Sequence, residues 1–325
     1  MHPPLFSRAL VLAAAAGLFI APAVSRADVP GSQSDVLYVS SFGFNEIEQF
    51  MPNGASSIFA DTGAYPYGVE FDSAGNLYVG ATGGIEKFAP NGTGSTFAAL
   101  SFDPTGIAFD AAGNLYTDDF YNSIIYKITP NGTVSVFDTQ GLRYPGGLAF
   151  DSSGNLYAAN WGNAIEKIAP NGSAALFART SGGPTGLAFY GGNLYSTSGS
   201  DAIQEFTPSG AGSTFAVGSL LNNPQGLAFD AAGNLFVANY SGGNVVEYTP
   251  NGIGSVYASG IFAPEFVAIQ EVPEPSAWVL LSLGAILLLP LRRLVAGTRG
   301  KPWFYTFASF HHFYLPRLGG VTRRA

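Results

Sequence analysis

Three side chains with ligating oxygens recur at one position of an internal repeat: Asp119, Asn160 and Asn239 each end a short apolar segment. Carboxylate and amide oxygens are the ligands that Ca²⁺ and other hard cations prefer, so one hypothesis is a metal site formed by these three residues. The alternative is structural, because Asp and Asn side chains often accept hydrogen bonds from the backbone of the following turn. The other repeats carry at this position Ser41, Ala81 and Ser198.

A second set of candidate functional residues is aromatic: Tyr65, Tyr121, Tyr144, Trp161 and Tyr240 lie in segments that differ from repeat to repeat and are interleaved with Asn and Asp. Such rings can stack on sugars while their polar neighbours bond to hydroxyl groups, or they can anchor a peptide. A third interpretation is that they seal the gaps between repeats. Since binding residues usually lie where loops vary over a regular scaffold, we take these five as the ligand-binding face.

Few residues of the repeats suit catalysis. The three histidines, His2, His311 and His312, all lie outside them, and the chain has no cysteine. Ser-His-Asp chemistry and a thiol nucleophile are therefore excluded from the repeats, as are a disulfide framework and cysteine-ligated zinc. We expect a protein without enzymatic activity or a required cofactor.

Charge is distributed unevenly along the chain. The formal net charge is -8, but residues 28–271 hold 21 acidic and only 5 basic residues, whereas seven basic residues and no acidic one follow from Arg292 onward. An acidic body repels phosphate backbones, so nucleic acid is excluded as a partner. A basic segment after an apolar run is typical of the cytoplasmic flank of a membrane segment.

Six repeats of about forty residues position the candidate residues. Five open with a Pro-x-Gly step and the sixth with a degenerate form of it. The steps are Pro66-Tyr67-Gly68, Pro104-Thr105-Gly106, Pro145-Gly146-Gly147, Pro184-Thr185-Gly186, Pro224-Gln225-Gly226 and Pro264-Glu265-Phe266. A short strand such as Gly226-Leu227-Ala228-Phe229 follows, then a turn such as Asp230-Ala231-Ala232-Gly233. A later Asn-Gly or Ser-Gly pair in each repeat indicates a hairpin.

Four short strands in each unit of this length predict a propeller blade. Second strands can be placed at six positions: Val36–Val39, Leu77, Leu115, Leu156, Leu194 and Leu235. First strands number six only if Phe266–Gln270 is counted. We therefore predict an all-β, six-bladed propeller over 35–270, closed by a C-terminal inner strand that pairs beside Val36–Val39.

The repeats resemble NHL-type propellers over Asp35–Gln270, in the pattern Pro-x-Gly-Leu-Ala-Phe-Asp-x-x-Gly-Asn-Leu-Tyr. The resemblance implies the fold, whereas propellers of this kind serve in binding, scaffolding, lyase and lactonase roles. Metal-dependent lactonases of similar fold use a carboxylate and amide cluster at the channel end where Asp119 is expected. This gives the alternative function, a metal-dependent hydrolase of lactonase type.

The N-terminal segment Met1–Ala27 has the features of a secretory signal peptide. Arg8 supplies the positive charge, Ala9–Ile20 the apolar run, and Ser25-Arg26-Ala27 the small residues before a cleavage site. We expect cleavage after Ala27, which leaves residues 28–34 as a linker to the propeller.

The C-terminal region carries Val272-Pro273-Glu274-Pro275-Ser276, then the apolar run Ala277–Leu291, then Arg292-Arg293. This order resembles the PEP-CTERM sorting signal of Gram-negative bacteria. The resemblance implies an exosortase-type partner that acts at Val272–Pro275 (Val272, Pro273, Glu274 and Pro275), after a stage of membrane anchoring. The apolar run has 15 residues, and snorkelling arginines can extend a short span of this kind.

The remaining residues, 294–325, are rich in aromatic and basic side chains. Such a composition suits a membrane interface, and it equally fits a spurious extension of the reading frame. The predicted domains are thus a signal peptide (1–27), a linker (28–34), the propeller (35–270), the sorting motif (271–276), a transmembrane helix with its basic stop (277–293) and this tail.

Together these features predict an exported, monomeric propeller in the cell envelope or extracellular polysaccharide matrix of a Gram-negative bacterium. It would serve as a non-catalytic binding or scaffold module for a polysaccharide or protein ligand. The metal-dependent hydrolase and a purely structural surface protein are the alternatives, and Ca²⁺ is the one cofactor that the sequence raises.

Overall fold

The computed structural model describes residues 35–270, which form six four-stranded antiparallel sheets. Each sheet is one blade of a β-propeller, as the repeats predict. The predicted signal peptide, linker 28–34, sorting motif, transmembrane helix and tail lie outside the described residues. Between residues 35 and 270, no helix is long and apolar enough to span a membrane.

The strands of each blade are given from the centre of the propeller outward. Blade 1 consists of β24 (Pro264–Gln270), β1 (Val36–Ser41), β2 (Glu46–Phe50) and β3 (Ser56–Asp61). Blade 2 consists of β4 (Pro66–Phe71), β5 (Leu77–Ala81), β6 (Gly84–Phe88) and β7 (Gly94–Ala99). Blade 3 consists of β8 (Pro104–Phe109), β9 (Leu115–Asp119), β10 (Ile124–Ile128) and β11 (Val134–Asp138).

The second half of the ring repeats this order. Blade 4 consists of β12 (Pro145–Phe150), β13 (Leu156–Asn160), β14 (Ala164–Ile168) and β15 (Ala174–Arg179). Blade 5 consists of β16 (Pro184–Tyr190), β17 (Asn193–Ser198), β18 (Ala202–Phe206) and β19 (Gly212–Val217). Blade 6 consists of β20 (Pro224–Phe229), β21 (Leu235–Asn239), β22 (Asn244–Tyr248) and β23 (Gly254–Ser259).

The predicted closure of the ring is confirmed. Strand β24 pairs antiparallel with β1, with Val36 opposite Gln270 and Val39 opposite Val267. The Tyr38 hydroxyl also donates a hydrogen bond to Oε1 of Gln270 at 3.1 Å. The six innermost strands contact one another in a complete circle and surround a central channel.

The first strands begin earlier than the sequence suggests, at the proline of each Pro-x-Gly step. Pro224 pairs with Asn239 and Leu227 with Val237, so the ladder continues past a β-bulge at the intervening residues. The glycine of the step is needed because neighbouring inner strands approach closely there: a Cβ on Gly68 would lie 2.7 Å from the Thr105 carbonyl oxygen of the next blade. The repeated motif is thus a packing requirement of the ring.

Adjacent blades are held together by a repeated trio of aromatic rings. Tyr78 on β5 makes edge-to-face contacts with Phe97 of its own blade and Phe109 of the next, with ring centroids 4.9 Å apart in both pairs. The same trio recurs around Tyr38, Tyr116, Tyr157 and Tyr195. Each such pair contributes about 0.5–1.5 kcal/mol beyond its buried area, so the interfaces between blades are specific as well as apolar.

The turns between first and second strands are structural. Asp72 accepts hydrogen bonds from the backbone N–H groups of Ala74 and Asn76 and from the Asn76 side chain, and Lys87 Nζ lies 3.5 Å from its Oδ2. Burial alone would raise the pKa of Asp72, but these hydrogen bonds and the Lys87 charge hold it below its ordinary value. The same contacts recur at Asp110 and Asp151, so the same hydrogen bonds and ion pair stabilise this face of the ring in three blades.

Truncation tests the closure. A chain ending at Gly260 lacks β24, which leaves the inner edge of β1 unpaired and uncovers the apolar side chains beneath it. We expect such a chain to lose several kcal/mol, a large part of the ~5–15 kcal/mol typical of a folded protein, while a chain ending at Gln270 melts like the full chain. Circular dichroism on heating measures both, and equal melting temperatures for the two truncations would contradict the closure.

Candidate functional site

The predicted ligand-binding residues lie on the face formed by the segments that enter each first strand and leave each second strand, here called the upper face. Backbone hydrogen bonds tie these segments together. The N–H of Trp161 donates to the carbonyl of Tyr144 at 3.3 Å, and the N–H of Tyr240 donates to that of Asn223 at 3.1 Å. The loops that carry the rings are therefore fixed to the blades.

Four aromatic rings of blades 3 and 4 form one group, which we call the Phe120 cluster: Phe120, Tyr121, Tyr144 and Trp161. The centroid of Phe120 lies 5.3 Å from those of Tyr121 and Tyr144 and 6.0 Å from that of Trp161. Tyr121 is 81% exposed, Trp161 57% and Tyr144 41%. These rings are therefore accessible to solvent on the upper face.

Tyr144 also has a strained backbone. Its φ of +50° lies in the left-handed region, which bulky residues seldom adopt. Its N–H donates to the Ser123 hydroxyl at 3.1 Å, a contact that helps to hold this conformation. Asn223 and Ala263, which precede the same proline in two other repeats, have φ values of +56° and +55°, so this conformation belongs to the repeat; it costs on the order of 1 kcal/mol.

A second group, the Phe42 cluster, lies at the mouth of the central channel: Phe42, Tyr65, Tyr67 and Tyr240. Tyr65 stacks on Phe42, with ring centroids 4.6 Å apart and 16° between the planes. Tyr67 and Tyr240 are tilted by 60° and 54° against Phe42, at 5.5 and 6.4 Å. Burial and the nearby carboxylates of Asp103 and Glu265 raise the pKa of Tyr67 to about 12, so its hydroxyl stays protonated.

The five predicted residues therefore fall into two clusters, and the central ring of each was missing from the prediction. The sequence did contain a signal for both. The residue that directly follows the second strand is aromatic in four of the six blades: Phe42, Phe120, Trp161 and Tyr240.

The three oxygen-bearing residues hold upper-face loops by hydrogen bonds, within one loop for Asp119 and between two loops for Asn160 and Asn239. Asp119 accepts hydrogen bonds from the backbone N–H and the side-chain amide of Asn122, at 3.0 and 2.8 Å. Asn160 accepts from the N–H of Arg143 at 3.1 Å and donates to the carbonyl of Gly141 at 3.0 Å. Each oxygen named here already accepts a hydrogen bond from the protein.

Asn239 has the same role in blade 6. It accepts from the N–H of Asn222 and donates to the carbonyl of Leu220, at 2.5 and 2.8 Å. Between residues 35 and 270, no three His, Cys, Asp or Glu residues lie close enough together to hold a metal ion. These contacts favour the structural interpretation, and the calcium site stays a prediction.

One buried acid was not anticipated. Asp118 on β9 is fully buried and accepts hydrogen bonds from the Thr105 hydroxyl at 2.5 Å and the Gly106 N–H at 2.6 Å. Burial raises its pKa well above the ordinary value. In blade 5, Thr197 accepts a hydrogen bond from the Gly186 N–H in the same way. Asp118 therefore stabilises the β-bulge of β8 at Thr105 and Gly106.

Comparisons with known proteins identify the fold and no family: no family model and no curated protein matches the chain. A solved nidogen/laminin complex matches with a TM-score of 0.65 and 19% identity, over 72% of this chain and 97% of the matched chain. Virginiamycin B lyase from Staphylococcus aureus matches with a TM-score of 0.57 and 18% identity, over 73% and 88%. A catalytically inactive histidine-to-alanine variant of that lyase, with quinupristin, matches with 0.56 and 19%, over 74% and 93%. The chain is a six-bladed β-propeller.

Two substitutions of Asp119 distinguish a structural role of this residue from a role as a metal ligand. Asp119→Asn keeps the oxygen that accepts from the Asn122 N–H but loses the one that accepts from the Asn122 side-chain amide. Asp119→Ala removes both oxygens and should cost about 0.5–2 kcal/mol, so we expect it to lower the melting temperature more than Asp119→Asn does. Thermal melts with and without millimolar Ca²⁺ check this. A Ca²⁺-dependent rise in the melting temperature that Asp119→Asn abolishes would establish the metal site instead.

Proposed function

We propose that this chain is an exported, non-catalytic binding module whose upper face takes a polysaccharide or protein ligand in the cell envelope or extracellular matrix of a Gram-negative bacterium. The observation that carries the proposal is the Phe120 cluster: exposed rings on one face, held by backbone hydrogen bonds and by a strained residue. Aromatic rings of this kind provide large contact areas at low entropic cost.

Catalysis has less support than binding. Residues 35–270 contain no histidine and no cysteine, whereas the similar lyase is inactive when one histidine is replaced by alanine. A hydrolase of lactonase type would need the oxygens of Asp119, Asn160 and Asn239, and these already accept hydrogen bonds that hold the loops.

Both ligand classes have support. Asn122 lies beside the Phe120 cluster and Asn222 beside Asn239, so amide groups are close to the rings, as sugar recognition requires. A protein ligand is supported by the nidogen/laminin complex, in which a propeller of this fold occurs in a protein–protein assembly.

Export and anchoring follow from the two terminal signals. With Met1–Ala27 as the signal peptide, the acidic propeller lies outside the membrane and the basic residues from Arg292 onward lie inside, in agreement with the positive-inside rule. An exosortase-type enzyme then cleaves near Val272–Pro275 and releases the propeller from its anchor.

The upper-face ligand is tested on a glycan array and by pull-down with the full chain. We expect Trp161→Ala to weaken binding at least about tenfold, the effect of losing one anchoring ring. Tyr144→Asn also removes a ring, but asparagine tolerates a positive φ, so binding should fall while the melting temperature holds or rises. Tyr190→Ala, an exposed tyrosine on the opposite face, is the matched control. A ligand that binds all three variants equally does not use this face.

Processing is tested by mass spectrometry of the mature C-terminus in the native host. We expect the chain to end near Pro273–Pro275 and to lack Ala277–Leu291. Replacement of Pro273, Glu274 and Pro275 by alanine should retain the protein in the membrane fraction. Peptides from 307–317 in the surface-exposed pool, or an unchanged distribution of the variant, would indicate a simple membrane anchor.

A further inference from the structure

One carboxylate at the mouth of the central channel stands out from its equivalents. Glu265 occupies the second position of the degenerate Pro-x-Gly step on the innermost strand β24. The equivalent residues of the other blades carry no charge: Tyr67, Thr105, Gly146, Thr185 and Gln225. Gln225 has nearly the same shape, so the fold accepts a neutral side chain of this size here.

Glu265 is close to the Phe42 cluster. Its charge, together with burial, raises the pKa of both Tyr67 and Tyr240, two of the four rings of that cluster. Its strand lies beside β4, which carries Tyr67. Asp103, the other carboxylate that acts on Tyr67, accepts a hydrogen bond from the Gly83 N–H at 3.2 Å.

Within residues 35–270, the Glu265 carboxylate has neither a hydrogen-bond donor nor a basic partner, and burial raises its pKa to about 7. The described propeller has five basic residues. Three of them, Lys87, Lys127 and Lys167, are paired with aspartates of the opposite face. Arg179 acts on Glu166, and Arg143 packs against Gly162. The charge that complements Glu265 has to come from outside the propeller.

A partly buried carboxylate without a partner destabilises the folded chain, and this one lies near the rings of Tyr67 and Tyr240. Cations bind over the faces of such rings, most strongly where water is partly excluded and a negative charge lies nearby. We propose that the channel mouth, formed by Phe42, Tyr65, Tyr67, Tyr240 and Glu265, binds an organic cation that carries an alkylammonium or guanidinium group. Tyr121 of the Phe120 cluster lies close enough to act on Tyr67, so the two clusters are neighbours on the upper face.

The test titrates the full chain with choline and with 3,3-dimethylbutan-1-ol, which has the same shape without the charge. Calorimetry is done at pH 8, where Glu265 is ionised. We expect choline to bind in the millimolar range or better and at least about tenfold more tightly than the neutral alcohol, a difference of roughly 1.4 kcal/mol.

Variants separate binding from folding. Glu265→Gln should weaken choline binding at least about tenfold while the melting temperature at pH 8 stays the same or rises, because the substitution removes an unpaired charge. Glu70→Gln, the same change on the neighbouring inner strand β4, is the matched control and should bind as the unsubstituted chain does. No binding by the full chain, equal binding of the alcohol, or binding unaffected by Glu265→Gln would each overturn the proposal. Loss of the polysaccharide or protein ligand in Trp161→Ala with choline binding intact would support separate sites.

Discussion

The pairing of β24 with β1 is the interaction on which the rest of the molecule depends. It joins residues that are more than two hundred positions apart and turns a row of sheets into a ring without an open inner edge. It also builds the channel mouth, because the Phe42 N–H donates to the carbonyl of Ala263 and the Gly43 N–H to that of Phe262. Closure of the ring therefore places both Phe42 and Glu265 at the channel mouth.

The two faces of the ring differ in how regularly their segments repeat from blade to blade. On one face, turns centred on Asp72, Asp110 and Asp151 satisfy their own hydrogen bonds and pair with a lysine, so three of the six blades are fixed in the same manner. On the upper face, hydrogen bonds of Asp119, Asn160 and Asn239 hold loops of different sequence. A regular scaffold of this kind allows the rings above it to vary without loss of the fold.

The upper face carries two aromatic clusters that differ in their exposure to solvent. The Phe120 cluster is broad and exposed, which suits an extended ligand such as a sugar chain or a protein surface. The Phe42 cluster also has four rings, but Phe42, Tyr67 and Tyr240 are partly buried and Glu265 lies nearby, which suits a compact charged group. The positive φ of Tyr144 and the Glu265 carboxylate, which has no partner within residues 35–270, both lower the stability of the folded chain on this face.

The sequence by itself determined the number of blades and the closure, because these follow from short-range signals that recur about every forty residues: the Pro-x-Gly step in five repeats with a degenerate form in the sixth, the Asp-x-x-Gly turn in four, and the alternation of strands. It also placed all five proposed ring residues on one face, since loop order fixes the face. Only the tertiary structure decided that the rings form two clusters around Phe42 and Phe120. Contacts such as that of Phe42 with Tyr240 join blades remote in sequence, and the isolation of Glu265 depends on where all five basic residues point. Distances between blades are set by packing around the ring, which no single repeat encodes.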